Sequence, residues 1–240
     1  MLHRHPGGAS LSRSLIERCA FKENSVVLDL GCGTGETAAY LQAHGAVQAI
    51  GVDAKKERLR EGEQRHGAVA FLQADGANLP FADASIDGVI MECSLSVMRD
   101  RQKTMQELSR VLVPGGKLGI TDLYSRDNNE AVTCCLPAIN HASAGGNAED
   151  LLPALNEAGF QLLCFEDHTD CLKAFVASYI MQYGLTPELQ AMTGASGGHF
   201  ANGKRKRHMG YFLLVAEKRQ GRMKDDGKAT VSPVRPGTDG

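Results

Sequence analysis

The chain has 240 residues, 42% of them hydrophobic, and a formal net charge of −2, which suits one large α/β domain and gives no whole-chain attraction to nucleic acid or an anionic membrane. Tryptophan is absent, aromatic residues make up 5%, and no apolar run is long enough for a spanning helix, so neither a base-stacking surface nor a transmembrane segment is expected. The seven cysteines are odd in number with no repeated C-x-x-C spacing, and Met1 to Gly8 has no apolar core, which points to a reducing cytoplasm rather than a secreted disulfide scaffold.

Leu11, Leu15, Ile16, Cys19 and Ala20 fall at helical spacing and predict a lead-in helix over 10–21. Val26 to Leu30 reads as a first strand, and Glu36 to His44 as a helix capped at Gly45. Further strands are expected over 47–52, 69–73, 86–92 and 117–123, with helices over 55–65 and 101–112, the last closed by Pro114-Gly115-Gly116. The strands look buried on both faces and alternate with helices, which implies a parallel sheet with right-handed crossovers. Residues 125–147 read as irregular and polar. A helix over 148–158, capped by Gly159, a strand over 161–166 in which Cys164 reads as core, and a helix over 170–183 follow. Residues 185–208, rich in Gly, Ser and Lys, read as a mobile insertion, 209–216 as a last strand, and 218–240 as a disordered tail. The domain is expected to span 1–217.

The most informative stretch is Val26-Val27-Leu28-Asp29-Leu30-Gly31-Cys32-Gly33-Thr34-Gly35-Glu36. It reads as a strand, a tight glycine loop and a helix N-terminus, where backbone can approach a ligand. A dinucleotide fingerprint wants G-x-G-x-x-G. Here the third glycine comes one residue early, and Glu36 would stand where a pyrophosphate must approach. Asp29 is unfavourable to phosphate and favourable to an ammonium group. A ligand with an amino-acid end, a nucleoside end and no phosphate fits, and S-adenosylmethionine is such a ligand.

Asp53, followed by Ala54, ends the second strand, eighteen residues after Gly35, where a carboxylate can accept both ribose hydroxyls. Asp75-Gly76 ends the third and could take an adenine amino group, although Asp-Gly is also a common turn. Three strand ends aimed at one crevice is where open α/β sheets bind ligands. Glu92-Cys93-Ser94 follows the fourth strand, where donor and acceptor groups should meet; Glu92 reads as a cofactor contact, and Cys93 as either reactive or a small buried hydrophobe. Cys134-Cys135 with His141 could form a thiol site for a soft metal or metalloid, or be plain loop residues, and Cys171 could reach the same region. The run Lys204 to His208 reads as solvated surface rather than a nucleic-acid contact.

These motifs resemble those of the class I SAM-dependent methyltransferases: Val27 to Gly35 for the cofactor loop, Gly51-Val52-Asp53 for the ribose, Ala74-Asp75-Gly76 with Leu79-Pro80-Phe81 for the adenine, and Asp87 to Ile90 with Glu107 to Leu118 for strands four and five. The resemblance covers roughly 10–217. It implies a Rossmann-like seven-stranded, mostly parallel sheet with helices on both faces and an antiparallel last strand. It implies S-adenosylmethionine as cofactor and S-adenosylhomocysteine as product, with Asp29, Gly31, Cys32, Gly33, Thr34, Gly35, Asp53, Ala54, Asp75, Gly76 and Glu92 around it. Candidate acceptor-side residues are Cys93, Cys135, His141 and Tyr124; no resident metal is expected. The segment from Cys134 to Phe160 is similar to arsenite methyltransferases, so a thiol-bound metalloid is one acceptor. Carbon or oxygen methylation of an organic molecule such as a quinone precursor is another, and a SAM-binding or metalloid-binding protein without transferase activity is the non-enzyme alternative. The expected partner is a small molecule, with no nucleic acid and no membrane span.

Overall fold

The computed structural model describes residues 5–44, 47–125, 132–133, 143–144, 148–184 and 209–220. In chain order the elements are α1 (Gly8–Cys19), β1 (Val26–Leu30), α2 (Glu36–His44), β2 (Gln48–Asp53), α3 (Lys56–Arg65), β3 (Ala70–Gln73), β4 (Ile86–Glu92), α4 (Arg101–Val111), β5 (Leu112–Ser125), β6 (Val132–Thr133), β7 (Ser143–Ala144), α5 (Ala148–Glu157), β8 (Phe160–Asp167), α6 (Thr169–Tyr183) and β9 (Met209–Lys218). Seven strands form one sheet in the order β3-β2-β1-β4-β5-β9-β8. The pairs from β3 through β5 are parallel, and β9 runs antiparallel to both neighbours. The chain moves outward from β1 to β3 and then returns to place β4 on the other side of β1. That reversal opens a crevice at the carboxyl ends of β1 and β4.

Side chains of β9 alternate between two apolar layers, as a strand's period of two requires. Tyr211, Leu213 and Val215 meet Leu11 and Leu15 of α1, Leu41 of α2 and Phe175 of α6. Phe212, Leu214 and Ala216 meet Met105 and Leu108 of α4 and Leu155 of α5. The expected mostly parallel α/β sheet with helices on both faces is therefore present. No described helix is long and apolar enough to cross a membrane.

Several expectations are corrected. β3 and β8 are edge strands with exposed residues, so burial on both faces holds only for the inner strands. β5 starts at Leu112, before the Pro-Gly-Gly expected to precede it, because the register shifts between Ile86 and Gly88 and absorbs those residues as an irregularity. A one-turn 3-10 helix over Leu95–Val97 was not expected, being too short for periodicity to reveal. The region expected to be irregular carries the short β6–β7 pair. Cys164 is half-buried rather than core, with its thiol 3.4 Å from Glu166 Oε1. β9 continues through Lys218, whose Nζ donates to the Leu112 carbonyl at 2.6 Å, so the strand runs past the expected tail boundary. The expected cap at Gly45, the insertion over 185–208 and the tail beyond 220 lie outside the described residues.

Candidate active site

The glycine loop leaves β1 and enters α2 with Gly31, Gly33 and Gly35 all at positive φ (80°, 59° and 80°). Their open sides differ. A Cβ on Gly31 would stand 2.4 Å from Ser94 Cβ, and one on Gly35 2.5 Å from the Phe71 ring. One on Gly33 would meet only Arg58 Nη1, at 3.4 Å. Gly31 and Gly35 therefore serve packing, and Gly33 is the loop glycine with room beside it.

The loop's amides are largely used inside the protein. Gly31 and Cys32 N–H donate to the Val52 carbonyl at 2.7 and 3.1 Å, and Gly35 N–H to the Cys32 carbonyl at 2.9 Å. Gly33 N–H donates to Asp53 Oδ2 at 2.9 Å. A phosphate cradle needs such donors turned toward the ligand. This loop spends them elsewhere and is flanked by acids, so it suits a ligand without phosphate. Glu36, expected in the ligand's path, instead accepts from Thr34 Oγ1 at 2.6 Å and from Arg65 Nη1 at 3.3 Å.

Asp29 lies beneath the loop, 3% exposed, and its Oδ2 accepts the Ala38 N–H of α2 at 3.1 Å. Burial pushes its carboxyl well above the usual range, and the neighbouring Glu92 adds to the rise. Asp53 closes β2 with Oδ1 accepting from Lys55 N–H at 2.8 Å. Each of its oxygens retains lone-pair capacity for a hydroxyl. Asp75 Oδ1 accepts from Ala77 N–H at 2.9 Å, and Asn78 N–H donates to the Asp75 carbonyl at 2.9 Å. The turn and ligand readings of Asp75-Gly76 are thus compatible. Buried Gly76 packs against Met98 and Thr104, and the Ala54 carbonyl accepts from Gln73 Nε2 at 3.0 Å.

Glu92 joins three elements. Its Oε1 accepts from Ser12 Oγ of α1 at 2.8 Å and its Oε2 from Thr37 Oγ1 of α2 at 2.6 Å, with His5 Nε2 3.9 Å away. Cys93 follows in a left-handed conformation (φ 50°). Its thiol is 3.0 Å from the Tyr211 hydroxyl, and its N–H donates to the Thr121 carbonyl at 2.8 Å. Ser94 Oγ then donates to the Leu30 carbonyl at 2.7 Å, bracing the start of the glycine loop. Further along, Arg110 donates to the Leu79 and Phe81 carbonyls, and Glu107 accepts the Leu79 N–H, so this pair clamps the loop over 79–83.

The structure brings the expected cofactor residues to one end of the sheet and does not gather the acceptor-side candidates. Cys93 packs against the α1 layer and Tyr124 against the opposite layer. The Tyr124 hydroxyl donates to Asp167 Oδ2 at 3.0 Å. Cys135 and His141 lie outside the described residues, as does Cys134. Burial, with Asp29 and Asp53 adding, drives the Cys32 thiol far up, and its Sγ lies 3.7 Å from the Gly33 carbonyl within the loop. His5, Ser12, Thr37 and Tyr211 were missed, and Ser94 was singled out without its bond to the Leu30 carbonyl. Ser12 and Thr37 read as ordinary helix residues, and their pairing with Glu92 spans 80 and 55 positions, which no local signal encodes.

A sheet switch point carrying a phosphate-averse glycine loop, a ribose-ready carboxylate and buried acids that match a cation defines an enzyme built around a nucleoside cofactor with a cationic amino-acid end. The profile of the Methyltransferase domain family matches residues 28–120. The chain is 29% identical over 217 residues to the O-methyltransferase resE of Aspergillus sclerotiorum, covering 87% of this chain and 81% of that protein. It is 32% identical over 168 residues to the O-methyltransferase rstn1 of Aspergillus nomiae, covering 67% of this chain and 75% of that one. Among solved structures, the cyclase SpnF superposes with a TM-score of 0.68 at 27% identity, covering 88% of this chain and 80% of that one. The chain belongs to the class I SAM-dependent methyltransferases, and its cofactor is S-adenosylmethionine. The room beside Gly33, the Asp53 carboxylate and the acids at Asp29 and Glu92 fit that group's ribose hydroxyls and positive charge.

Proposed function

We propose that this methyltransferase acts on a hydroxyl group of a small organic molecule, with His5 as the base. The observation that carries the reading is the placement of His5 over the carboxylate that closes β4. His5 Nδ1 lies 3.1 Å from the Pro6 carbonyl, which assigns the proton to that nitrogen. Nε2 then carries no proton; it lies 3.3 Å from Ser12 Oγ, whose own proton goes to Glu92, and 3.9 Å from Glu92 Oε1. An imidazole in this tautomer can take a hydroxyl proton, and Glu92 can stabilise the imidazolium that results. The relatives resE and rstn1 are O-methyltransferases, which supports oxygen as the acceptor atom.

When bound, S-adenosylmethionine supplies an electrophilic methyl on a sulfonium. The chain's own contribution is then positioning and exclusion of water. In this reading Gly33 admits the cofactor, Asp53 accepts from its ribose, Asp75 and Gly76 receive its adenine, and Glu92 anchors α1 over the site. Cys93, Cys32, Thr34 and Ala54 act through backbone shape. A thiol-bound metalloid gains little support from the described cysteines. Cys19 is fully buried, Cys93 faces Tyr211 and Cys164 faces Glu166. Among the described residues no three His, Cys, Asp or Glu side chains are placed to hold a metal ion.

The test is methyl transfer to a panel of hydroxylated aromatics, with His5→Gln as the variant. Loss of about 10²–10⁴-fold in kcat with SAM affinity retained is the expected result. Transfer unchanged by the substitution would remove His5 from the mechanism. Turnover confined to amine or thiol acceptors would overturn oxygen as the target.

A further inference from the structure

On the sheet face opposite α1, a groove of about 560 Å³ lies between α4 and α5. Met105, Ala154, Ala158 and Phe212 give it apolar walls. Its size falls in the range of small-molecule sites. Its polar lining divides by depth: Gln102, Gln106 and Glu157 are exposed at the rim, while Ser96, Arg101, Asp122 and Tyr124 lie deeper. Asp122 is buried, with Oδ2 accepting the Ser96 N–H at 2.8 Å and Oδ1 the Leu123 N–H at 2.7 Å. Arg101 donates Nε to the Leu95 carbonyl at 3.2 Å and Nη2 to the Ser96 carbonyl at 3.0 Å, and its charge acts on Asp122. The acid and the guanidinium offset each other, so the buried end of the groove carries no net charge, and the one further acid, Glu157, stands exposed to solvent at its rim.

Ser96 is different. The residue is 4% exposed, and its hydroxyl, though near Asp122, makes no aligned hydrogen bond. Folded proteins leave few buried hydroxyls in that condition. We propose that the groove is a second small-molecule site, separate from the cofactor cradle, for a neutral and largely apolar ring system whose one polar group bonds to Ser96. The turn over 94–97 divides the two sites: Ser94 faces Leu30 and Gly31 on one side, and Ser96 enters the groove on the other. The inference goes beyond the methyl-transfer reading and does not depend on it.

The test uses three probes of one shape, naphthol (neutral), naphthoate (anionic) and naphthylmethylammonium (cationic), titrated calorimetrically into the full chain. Naphthol is expected to saturate a single site, with the two ions at least about tenfold weaker, the size of an uncompensated charge penalty. Ala154→Trp should fill the groove and abolish the binding while SAM affinity holds. Ser96→Ala should weaken naphthol by about three- to tenfold and leave plain naphthalene unaffected. That comparison stands even if the tryptophan variant does not fold. No saturable naphthol binding, equal binding of the ions, or a Ser96→Ala protein that still prefers naphthol over naphthalene would each overturn the proposal.

Discussion

The Tyr211 hydroxyl of β9 stands 3.0 Å from Cys93 Sγ and 3.2 Å from Thr121 Oγ1, tying the last strand to a cysteine held at φ 50°. That left-handed residue costs about 1–2 kcal/mol outside glycine. It turns the chain so that Glu92 reaches Ser12 and Thr37 while Ser94 reaches the Leu30 carbonyl. Tyr211→Phe should destabilise the fold by about 1–3 kcal/mol, because it leaves buried partners short of a hydrogen bond. SAM affinity should weaken with it. Adding Cys93→Gly should recover part of the loss by relieving the strain. Thermal melting and SAM titration of the three proteins check this; a Tyr211→Phe protein as stable as wild type would refute it.

Asp29→Asn should raise the stability of the cofactor-free protein and weaken SAM binding. Burial, with Glu92 next in effect, raises the Asp29 carboxyl in the fold. The sign follows: above the unfolded carboxyl range the unfolded chain ionises freely while the fold resists, so the ionised residue opposes folding at neutral pH. Asparagine keeps an oxygen for the Ala38 N–H and removes the charge. A fall in the melting point of the variant would contradict this account.

Gly35→Ala and Gly33→Ala should fail in different ways. The first puts a methyl 2.5 Å from the Phe71 ring at φ 80°, and overpacking plus a left-handed alanine should cost about 2–4 kcal/mol. The second meets only Arg58 Nη1 at 3.4 Å, so its cost should be about 1 kcal/mol, from φ alone, with SAM affinity lost. Denaturant midpoints and calorimetry separate the cases. Equal destabilisation would mean that the loop glycines share one role.

Glu92→Gln should loosen α1. Glutamine has one acceptor oxygen where Glu92 uses two, for Ser12 and Thr37. One hydroxyl must turn its proton away and accept from the amide instead, as Ser12 can by donating to the Gly8 carbonyl 3.4 Å away, at a cost of about 1 kcal/mol. Amide exchange over 8–19 should speed up severalfold, with weaker SAM binding. Unchanged exchange in α1 would show that Glu92 does not anchor it.

Stability should fall in alkali through Cys19. Burial pushes its thiol up to about 12. Below the unfolded thiol range, around pH 9, both states keep the proton and the residue adds no pH dependence. Above it the unfolded chain ionises first, so stability should drop between about pH 9 and 12. Cys19→Ala should make that limb of the stability curve shallower, whatever its cost at neutral pH, with the remaining slope falling to Cys32, whose buried thiol is pushed up as well. A wild-type slope retained by the variant would assign the effect elsewhere.

The glycine loop, the acids Asp53 and Asp75 and the alternation of strands with helices were legible in sequence because each rests on local rules: left-handed turns want glycine, buried parallel strands want apolar runs, and chain reversals leave short polar stretches. The same rules placed most elements within a residue or two, as with Val26–Leu30 and Ile86–Glu92. They misread the Pro114-Gly115-Gly116 stretch as the stop before a strand, since a bulge is defined by the partner strand and not by the residues that form it. They also treated three glycines as one device. Only the tertiary structure separated Gly33, beside open space, from Gly35, against Phe71. Long-range packing likewise decided that Glu92 binds Ser12 and Thr37, that Cys93 faces Tyr211 118 positions away, and that Tyr124 stands on the opposite face of the sheet. Such pairings carry no periodicity in the chain, because they arise from which faces the sheet brings together.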